Sequence, residues 1–124
     1  WVNSKGFKTS YNLYGLWIAK HYIEKTNRVY LVEGQGDVWR MNEAGIKNTL
    51  GIFGADLSEY QLSLLEKMPI LDVVVLTDMD DAGRKAANRI VNKCGRRFNY
   101  SIPELPTKDV GEMTIEQIEE RFSL

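Results

Sequence analysis

The feature that most constrains the fold is a short apolar run from Asp72 to Thr77, which contains three valines and a leucine in succession. Because the run has no alternation of polar and apolar residues, a strand formed from it is apolar on both faces. Such a strand is typical of the middle of a parallel sheet that helices cover from above and below. The run therefore predicts an α/β fold with the sheet as a buried central layer.

Periodicity predicts further strands and helices that alternate along the chain, as in βαβ units. Strands are expected at Val29–Val32, Asn48–Ile52 and Phe98–Ile102. After an irregular lead-in over residues 1–10, helices are expected at residues 11–26, about Asp37–Ala44, Ser58 to Pro69, about Ala82–Lys93 and Thr114–Phe122. This alternation indicates a three-layer sandwich, with a mainly parallel sheet of about four strands and helices on both faces.

Capping residues mark several of the predicted helix ends. Ser58 with Gln61, and Thr114 with Gln117, have the spacing of a capping box, in which the side chains bond free amide groups of the first turn. We expect Asp81 to be the N-cap of the helix that follows the central strand. Residues typical of helix C-termini follow three helices, namely Asn27, Gly45 and Gly95.

The composition is that of one ordinary globular domain. The chain has 124 residues, 44% of them hydrophobic and 27% charged, and a formal net charge of −1. This charge gives no bulk electrostatic argument for nucleic-acid binding, so such a function has to depend on local patches. No apolar run approaches the ~20 residues of a membrane-spanning helix, and we expect no membrane partner.

The single cysteine, Cys94, excludes an internal disulfide and forms no zinc-binding cluster with histidine. We interpret it as a buried small hydrophobe in a protein of the reducing cytoplasm. The chain begins at Trp1, without an initiator methionine or a signal segment. We therefore expect residues 1–124 to be a single domain cut from a longer protein.

Acidic residues follow the predicted strands at the edge of the sheet where their carboxyl ends meet. They are Glu33 after the first strand, Asp78, Asp80 and Asp81 after the third, and Asp109 and Glu112 after the fourth. Loops converge and ligands bind at this edge in open α/β sheets. Because neighbouring carboxylates repel one another, the cluster predicts a cation among them.

The residue types indicate which cation this is. Oxygen ligands without histidine or cysteine favour Mg²⁺ or Mn²⁺, and Mg²⁺ leaves several positions to water and phosphate oxygens. Asp78 and Asp80 alternate in a nearly extended segment, so both side chains can hold one ion. Gly34 and Gly36 would let the backbone approach a phosphate closely. A purely structural interpretation stays open, since such aspartates often cap helices and such glycines often form turns.

Two motifs, VEGQGDVWRMNEAGI and DMDDAGRKAA, resemble the acidic motifs of the Toprim domain. This metal-binding α/β module is shared by bacterial primases, topoisomerases and some nucleases. The Ala-Gly-Arg continuation of the second motif resembles the primase branch. The segments LYGLWIAK and LPTKDVGEM are also similar to segments of bacterial replicative primases, so the resemblance covers nearly the whole chain and implies a Toprim-like sandwich.

The resemblance implies roles for five carboxylates. Glu33 would be the catalytic acid or base and would help to hold metal, while Asp78 and Asp80 would coordinate one or two Mg²⁺ ions. Asp37 and Asp109 would be supporting metal ligands. The implied reaction is the nucleotidyl transfer of a DNA primase, which makes RNA primers from nucleoside triphosphates on single-stranded DNA. A replicative helicase would bind through regions outside this chain, and we expect the isolated domain to be inactive.

Nucleotide or nucleic-acid contacts are expected from residues near the acidic motifs. Arg84 follows the acidic loop and would meet a nucleotide phosphate or pair with Asp80. Lys85 begins a basic helix stripe that could contact a template, although a solvated outer face is the favoured interpretation. The other candidates are Lys8, Gly34 and Lys108.

Two helix aromatics, Trp39 and Tyr60, have side chains that can stack on nucleobases. An aromatic on an amphipathic helix usually packs in the core, so we expect both to be buried. The sequence alone therefore assigns neither of them a binding role.

Other functions remain open for the same motifs. A Toprim nuclease would hydrolyse phosphodiesters with the same acids, but such nucleases often have lysine where Gln35 and Gly36 stand. A topoisomerase would need a nucleophilic tyrosine elsewhere. A haloacid-dehalogenase-like phosphatase would have Gly-Thr after its DxD motif, whereas Ala82 and Gly83 follow here. A Toprim module that binds without catalysis is disfavoured because all three core acids are present.

Overall fold

The computed structural model describes residues 12–54 and 56–122. Its strands are β1 (Arg28–Val32), β2 (Thr49–Gly51), β3 (Asp72–Leu76) and β4 (Asn99–Ser101). They form a four-stranded sheet in the order β2-β1-β3-β4, and each neighbouring pair is parallel. The prediction of an α/β fold with a parallel sheet of four strands is confirmed.

Helices connect the strands. They are α1 (Leu16–Thr26), α2 (Gln35–Glu43), α3 (Glu59–Glu66), α4 (Asp81–Cys94) and α5 (Ile115–Phe122), and a single turn of 3₁₀ helix at Val110–Glu112 precedes α5. None of the helices in the described ranges is both long and apolar enough to cross a membrane.

Alternate residues of β3 pack on opposite faces of the sheet. Val73 and Val75 belong to a core cluster with residues of α1, α3 and α4, which includes the buried Cys94. Val74 and Leu76 belong to a second cluster, with residues of α2 and α5. These four apolar side chains of β3 are all buried, which is why the run shows no polar alternation. The predicted three-layer sandwich is therefore confirmed, with helices on both faces.

The predicted helix caps agree with the structure at most positions. Both capping boxes form, with Gln61 N–H donating to Ser58 Oγ at 3.0 Å and Gln117 N–H donating to Thr114 Oγ1 at 3.1 Å. Three residues with positive φ follow helices as expected, namely Asn27, Gly45 and Gly95.

The starts of three helices differ from the prediction. α1 begins at Leu16 rather than at residue 11, because Tyr14 forms an antiparallel bridge with Gly51 and Gly15 has a φ of 83°. α2 begins two residues before the predicted Asp37. α4 begins at Asp81, so the predicted N-cap is wrong by one residue. The predicted lead-in over residues 1–10 lies outside the described residues.

Candidate metal centre

The strand register brings two of the predicted acids together. β1 and β3 are neighbours, with Val32 beside Leu76. Glu33 directly follows β1, and Asp78 is the second residue after β3, so both lie at the same edge of the sheet. The Glu33 carboxylate accepts a hydrogen bond from the backbone N–H of Asp78, with 2.9 Å between N and Oε2.

Glu33 has the most perturbed carboxyl group of the centre. Partial burial is the main cause that raises its pKa from 4.5 to about 7, and the neighbouring carboxyl of Asp78 adds to this by hydrogen bonding and repulsion. The negative charge of Asp37 raises the pKa further, while the hydrogen bond from the Asp78 backbone opposes the shift. The Glu33 side chain can therefore gain or lose a proton near neutral pH.

Asp37, in the first turn of α2, joins two distant segments. Its Oδ2 accepts a hydrogen bond from Gly34 N–H at 3.2 Å, and its Oδ1 accepts one from Gly111 N–H at 3.0 Å. Burial raises the pKa of Asp37, repulsion from Asp109 and Asp78 acts in the same direction, and the two backbone hydrogen bonds oppose the rise. Asp37 is thus the acid that connects Glu33 to the loop before α5.

Asp109 also lies close to Gly111. A Cβ atom built on Gly111 would lie 3.1 Å from Asp37 Oδ1 and 3.4 Å from Asp109 Oδ1, so the two carboxylates lie close to each other. Asp109 also caps the 3₁₀ turn by accepting a hydrogen bond from Glu112 N–H at 2.9 Å. The structure therefore brings Asp109 to the acidic edge, as the sequence predicted for the loop after β4.

Asp80 is the N-cap of α4, a role that the sequence analysis had given to Asp81. Its Oδ1 accepts a hydrogen bond from Gly83 N–H at 2.7 Å. The Asp81 side chain is 97% exposed and lies 3.5 Å from Arg84. Arg84 thus pairs with Asp81, and the expected pairing with Asp80 is not observed. One oxygen of Asp80 is engaged by the helix, which leaves the other for a ligand.

Gly83 is a feature of the site that the sequence analysis did not explain. A Cβ atom at this position would overlap the carbonyl group of Asp78, so α4 can approach the acidic loop only with glycine here. The buried Thr77 hydroxyl then donates to the Gly83 carbonyl at 2.7 Å. The sequence signal for this contact was the glycine five residues after the aspartate that follows the strand.

Met79 also supports the centre and was not identified from the sequence. Its backbone N–H donates to the Lys108 carbonyl at 2.7 Å, and its sulfur accepts from Leu105 N–H at 3.3 Å. These bonds attach the loop after β3 to the loop that follows β4. The exposed Lys108 is thereby placed beside the acidic loop, and its role in nucleotide binding stays a prediction.

The other predicted contact residues have different surroundings. Lys85 is exposed on α4. Farther along the same stripe, Arg89 pairs with Asp56 at 2.7 Å, and Lys93 donates to the carbonyl of Leu57 at 2.6 Å. The later part of the stripe therefore links α4 to the start of α3. Two candidates remain: Gly34 N–H is bonded to Asp37, and Lys8 lies outside the described residues.

The two helix aromatics are not buried, contrary to expectation. Trp39 is 57% exposed and Tyr60 is 47% exposed. On α2 the residues that face the core are Val38 and Met41, and this leaves Trp39 on a flank of the helix. Helix periodicity alone did not distinguish this flank from the core face.

The chemistry of these residues fits a magnesium-class ion. Glu33 and Asp78 offer hard oxygen ligands in contact, and their repulsion is of the kind that a cation relieves. Mg²⁺ commonly takes only one or two protein carboxylates. Within residues 12–54 and 56–122, no group of three or more acidic, histidine or cysteine side chains is arranged so that all of them could hold one metal ion. The residues that would hold the ion are therefore Glu33 and Asp78, with the free oxygen of Asp80 nearby in the chain.

The fold and this acidic edge agree with a family comparison. A model of the Toprim domain matches residues 27–102, which is more than half of the chain. The chain therefore belongs to the Toprim domain family. The match contains both acidic motifs, from Glu33 to Asp80.

Relatives identify the branch of the family. A DNA primase of Aquifex aeolicus is 43% identical over 84 residues, which cover 68% of this chain and 17% of that primase. A DNA primase of Chlamydia pneumoniae is 39% identical over 88 residues, which cover 71% of this chain and 15% of that primase. This is therefore a Toprim domain of the bacterial DNA primase type, and it spans about one-sixth of the length of these relatives.

Solved structures support the same conclusion. The crystal structure of the zinc-binding and RNA polymerase domains of Aquifex aeolicus primase has a TM-score of 0.72 and 31% identity, and the match covers 98% of this chain and 29% of that one. A DNA primase domain from Pseudomonas aeruginosa has a TM-score of 0.75 and 26% identity, with 90% and 36% coverage. The sandwich found here is thus the one found in primase cores.

Proposed function

We propose that this domain contributes the metal-binding half of a primase active site and that its reaction is metal-dependent nucleotidyl transfer in the cytoplasm. The observation that carries the proposal is the contact between Glu33 and Asp78 at the ends of adjacent strands. Membership of the Toprim family, and identity to bacterial DNA primases, support this use of the pair. The product would be an RNA primer made from nucleoside triphosphates on a single-stranded DNA template.

The side chains have separate roles in the proposed reaction. Glu33 would take the proton of the attacking 3′ hydroxyl as the new phosphodiester bond forms and the bond to pyrophosphate breaks, because its carboxylate lies at the acidic edge in contact with Asp78. Asp78, the free oxygen of Asp80 and Glu33 itself would hold the ion. A bound Mg²⁺ or Mn²⁺ would supply positive charge to the triphosphate and to the departing pyrophosphate.

The neighbouring residues act as positioning groups. The Asp37 carboxylate accepts a hydrogen bond from Gly34 N–H, and this bond holds the turn that follows β1 and orients Glu33. Lys108 and Arg84 are exposed near the acidic loop and are proposed to contact phosphate oxygens. Template, zinc-module and helicase contacts would come from the parts of a primase that this chain does not cover.

Metal binding is the first test of the proposal. We expect Mg²⁺ or Mn²⁺ to raise the melting temperature of the native chain, because an ion that binds only the folded state stabilises it. Asp78→Asn should abolish the rise, and Glu33→Gln should reduce it strongly. Asp81→Asn is the matched control, since this carboxylate directly follows the acidic loop, as the first residue of α4, but is exposed to solvent. Equal responses of Asp78→Asn and the native chain would contradict the site.

Turnover distinguishes the proposed reaction from its alternatives. In a protein that joins this domain to the other primase segments, nucleotide incorporation on single-stranded DNA should need Mg²⁺ and should be lost in Glu33→Gln. Cleavage of the oligonucleotide instead would indicate a Toprim nuclease. Metal binding without either reaction would indicate a module that only binds.

A further inference from the structure

Trp39 is an exposed aromatic residue whose orientation is fixed. It lies on α2, the helix that begins beside Glu33, and more than half of its surface is open to solvent. Its indole Nε1–H donates a hydrogen bond to the hydroxyl of Tyr14 at 2.7 Å. The indole is thus anchored at its nitrogen while more than half of the side chain stays accessible to solvent.

Tyr14 and Phe53 complete a group that lies beside the metal centre. Tyr14 pairs with Gly51 at the end of β2, with N–H to carbonyl distances of 2.8 and 3.1 Å. The rings of Tyr14 and Phe53 are 6.0 Å apart between centroids. We call Tyr14, Trp39 and Phe53 the rim cluster.

Backbone contacts connect the rim cluster to the catalytic loop. Gly54 N–H, next to Phe53, donates to the carbonyl of Glu33 at 3.0 Å. A Cβ atom on Gly51 would lie 3.5 Å from the carbonyl oxygen of Gly34. The cluster therefore borders the loop that positions Glu33.

These observations lead to a binding role for the cluster. We propose that the rim cluster is a stacking platform for a nucleobase, with Trp39 as the residue that contacts the base. Stacking on an aromatic ring tolerates every base, because each base has a π-face. The Tyr14 hydroxyl orders the indole before the ligand arrives, which lowers the entropy cost of binding.

The proposal deepens the proposed function and rests on it, because a primase has to hold bases beside its carboxylates. The base could belong to a template strand or to an incoming nucleoside triphosphate. Both present the same flat π-face to the indole, so the binding chemistry is shared. The two sources can be separated by using each as a probe.

The experiment measures binding of a fluorescently labelled oligothymidylate to the chain by anisotropy, at low salt and with Mg²⁺. We expect Trp39→Ala to weaken binding about tenfold, in line with the loss of one base–aromatic stack. Trp39→Phe keeps a ring and should lose less. Tyr14→Phe should weaken binding by a smaller factor, because it removes the hydroxyl that orients the indole but keeps the Trp39 ring. The matched control is Trp17→Ala, since Trp17 is 85% exposed on α1. It should bind as the native chain does.

Two further probes assign the source of the base. With an abasic oligonucleotide of the same length, native chain and Trp39→Ala should bind alike, because only phosphate contacts remain. A second titration with ATP should show the Trp39 effect if the platform holds the incoming nucleotide. The Trp39 effect in either the oligothymidylate or the ATP titration supports the platform and names its source.

Equal binding of both base-containing probes by Trp39→Ala and Trp17→Ala would overturn the proposal, and so would an absence of binding by the native chain. Neither result decides the proposed function, because the metal response of Glu33 and Asp78 is measured separately. Circular dichroism melts of each variant show whether it is folded, and Trp39→Phe provides the ring-preserving comparison.

Discussion

At the scale of single residues, Glu33 has the property that matters most for chemistry. Its carboxyl group changes charge near neutral pH because it is partly buried and lies against Asp78. In the folded chain its pKa is about 7, whereas the ordinary value is 4.5. Folding therefore takes up a proton between these two pH values, and the free energy of unfolding decreases as the pH rises through this window.

Replacing Glu33 by glutamine should remove this pH dependence. In the presence of EDTA we expect Glu33→Gln and the native chain to be almost equally stable at pH 4.5. At pH 8 the variant should be more stable by about 1 kcal/mol, a figure that allows for solvent screening of a partly exposed group. Urea unfolding at the two pH values measures the difference. A difference that is the same at both pH values would contradict the raised pKa.

At the scale of elements, the start of α4 sets the shape of the acidic loop. Asp80 caps the helix, and Thr77 bonds the Gly83 carbonyl in the first turn. The helix approaches Asp78 so closely that Gly83 has no room for a side chain. One turn of helix therefore holds Asp78 at the position where it meets Glu33.

Gly83→Ala should destabilise the chain by about 2 kcal/mol or more, because the added methyl group forces α4 away from the loop. Gly36→Ala is a matched control, since Gly36 lies in the first turn of α2 with no atom within 4 Å of the added methyl. It should stabilise the chain by about 0.5 kcal/mol through helix propensity. Urea unfolding measures both changes, and similar values for the two variants would refute the close approach.

The elements also show what can be predicted from local sequence. Capping boxes were predicted correctly at Ser58 and Thr114 because both partners lie within one turn of each other. The N-cap of α4 was wrong by one residue, since Asp80 and Asp81 are both good caps and the entry angle of the chain decides between them. That angle depends on the close approach of α4 to Asp78, which the glycine at position 83 permits but which the capping preferences of Asp80 and Asp81 do not reveal.

At the scale of the whole molecule, stability comes from two apolar clusters on the faces of one sheet. Leu31 of β1 is buried in the cluster with α1, α3 and α4. Leu71 lies just before β3 and is exposed. The two leucines therefore differ in burial but not in chemistry.

Leu31→Ala should cost about 2–5 kcal/mol, the range for a buried leucine that leaves a cavity. Leu71→Ala should change the free energy of unfolding by less than about 0.5 kcal/mol. Chemical denaturation of the two variants tests this expectation. Since small domains have a total of about 5–15 kcal/mol, Leu31→Ala could unfold the chain, and loss of the cooperative transition would also agree with the prediction. If Leu31→Ala changed the free energy of unfolding as little as Leu71→Ala does, the prediction would be contradicted.

Long-range contacts were predicted correctly where they follow from a parallel sheet, and they were missed where they depend on individual loop contacts. Parallel strands put their carboxyl ends at one edge, so Glu33 and Asp78 could be placed together from two apolar runs. The bond of Asp37 to Gly111 joins residues 74 positions apart, and no periodicity signals it. The contact of Met79 with Lys108 is of the same kind.

The two hydrogen bonds that the Asp37 carboxylate accepts have a consequence for the minimum length of a functional fragment of this domain. All four strands are complete by Ser101, so a fragment truncated there would contain every strand of the sheet but not α5, which packs on one of its faces. It would, however, lack Gly111, whose backbone N–H donates a hydrogen bond to Oδ1 of the half-buried Asp37 carboxylate. Such a fragment would also lose buried core residues such as Met113 and Ile118, and it would loosen the turn from which Glu33 emerges. The unit that positions the acidic edge therefore extends past the last strand.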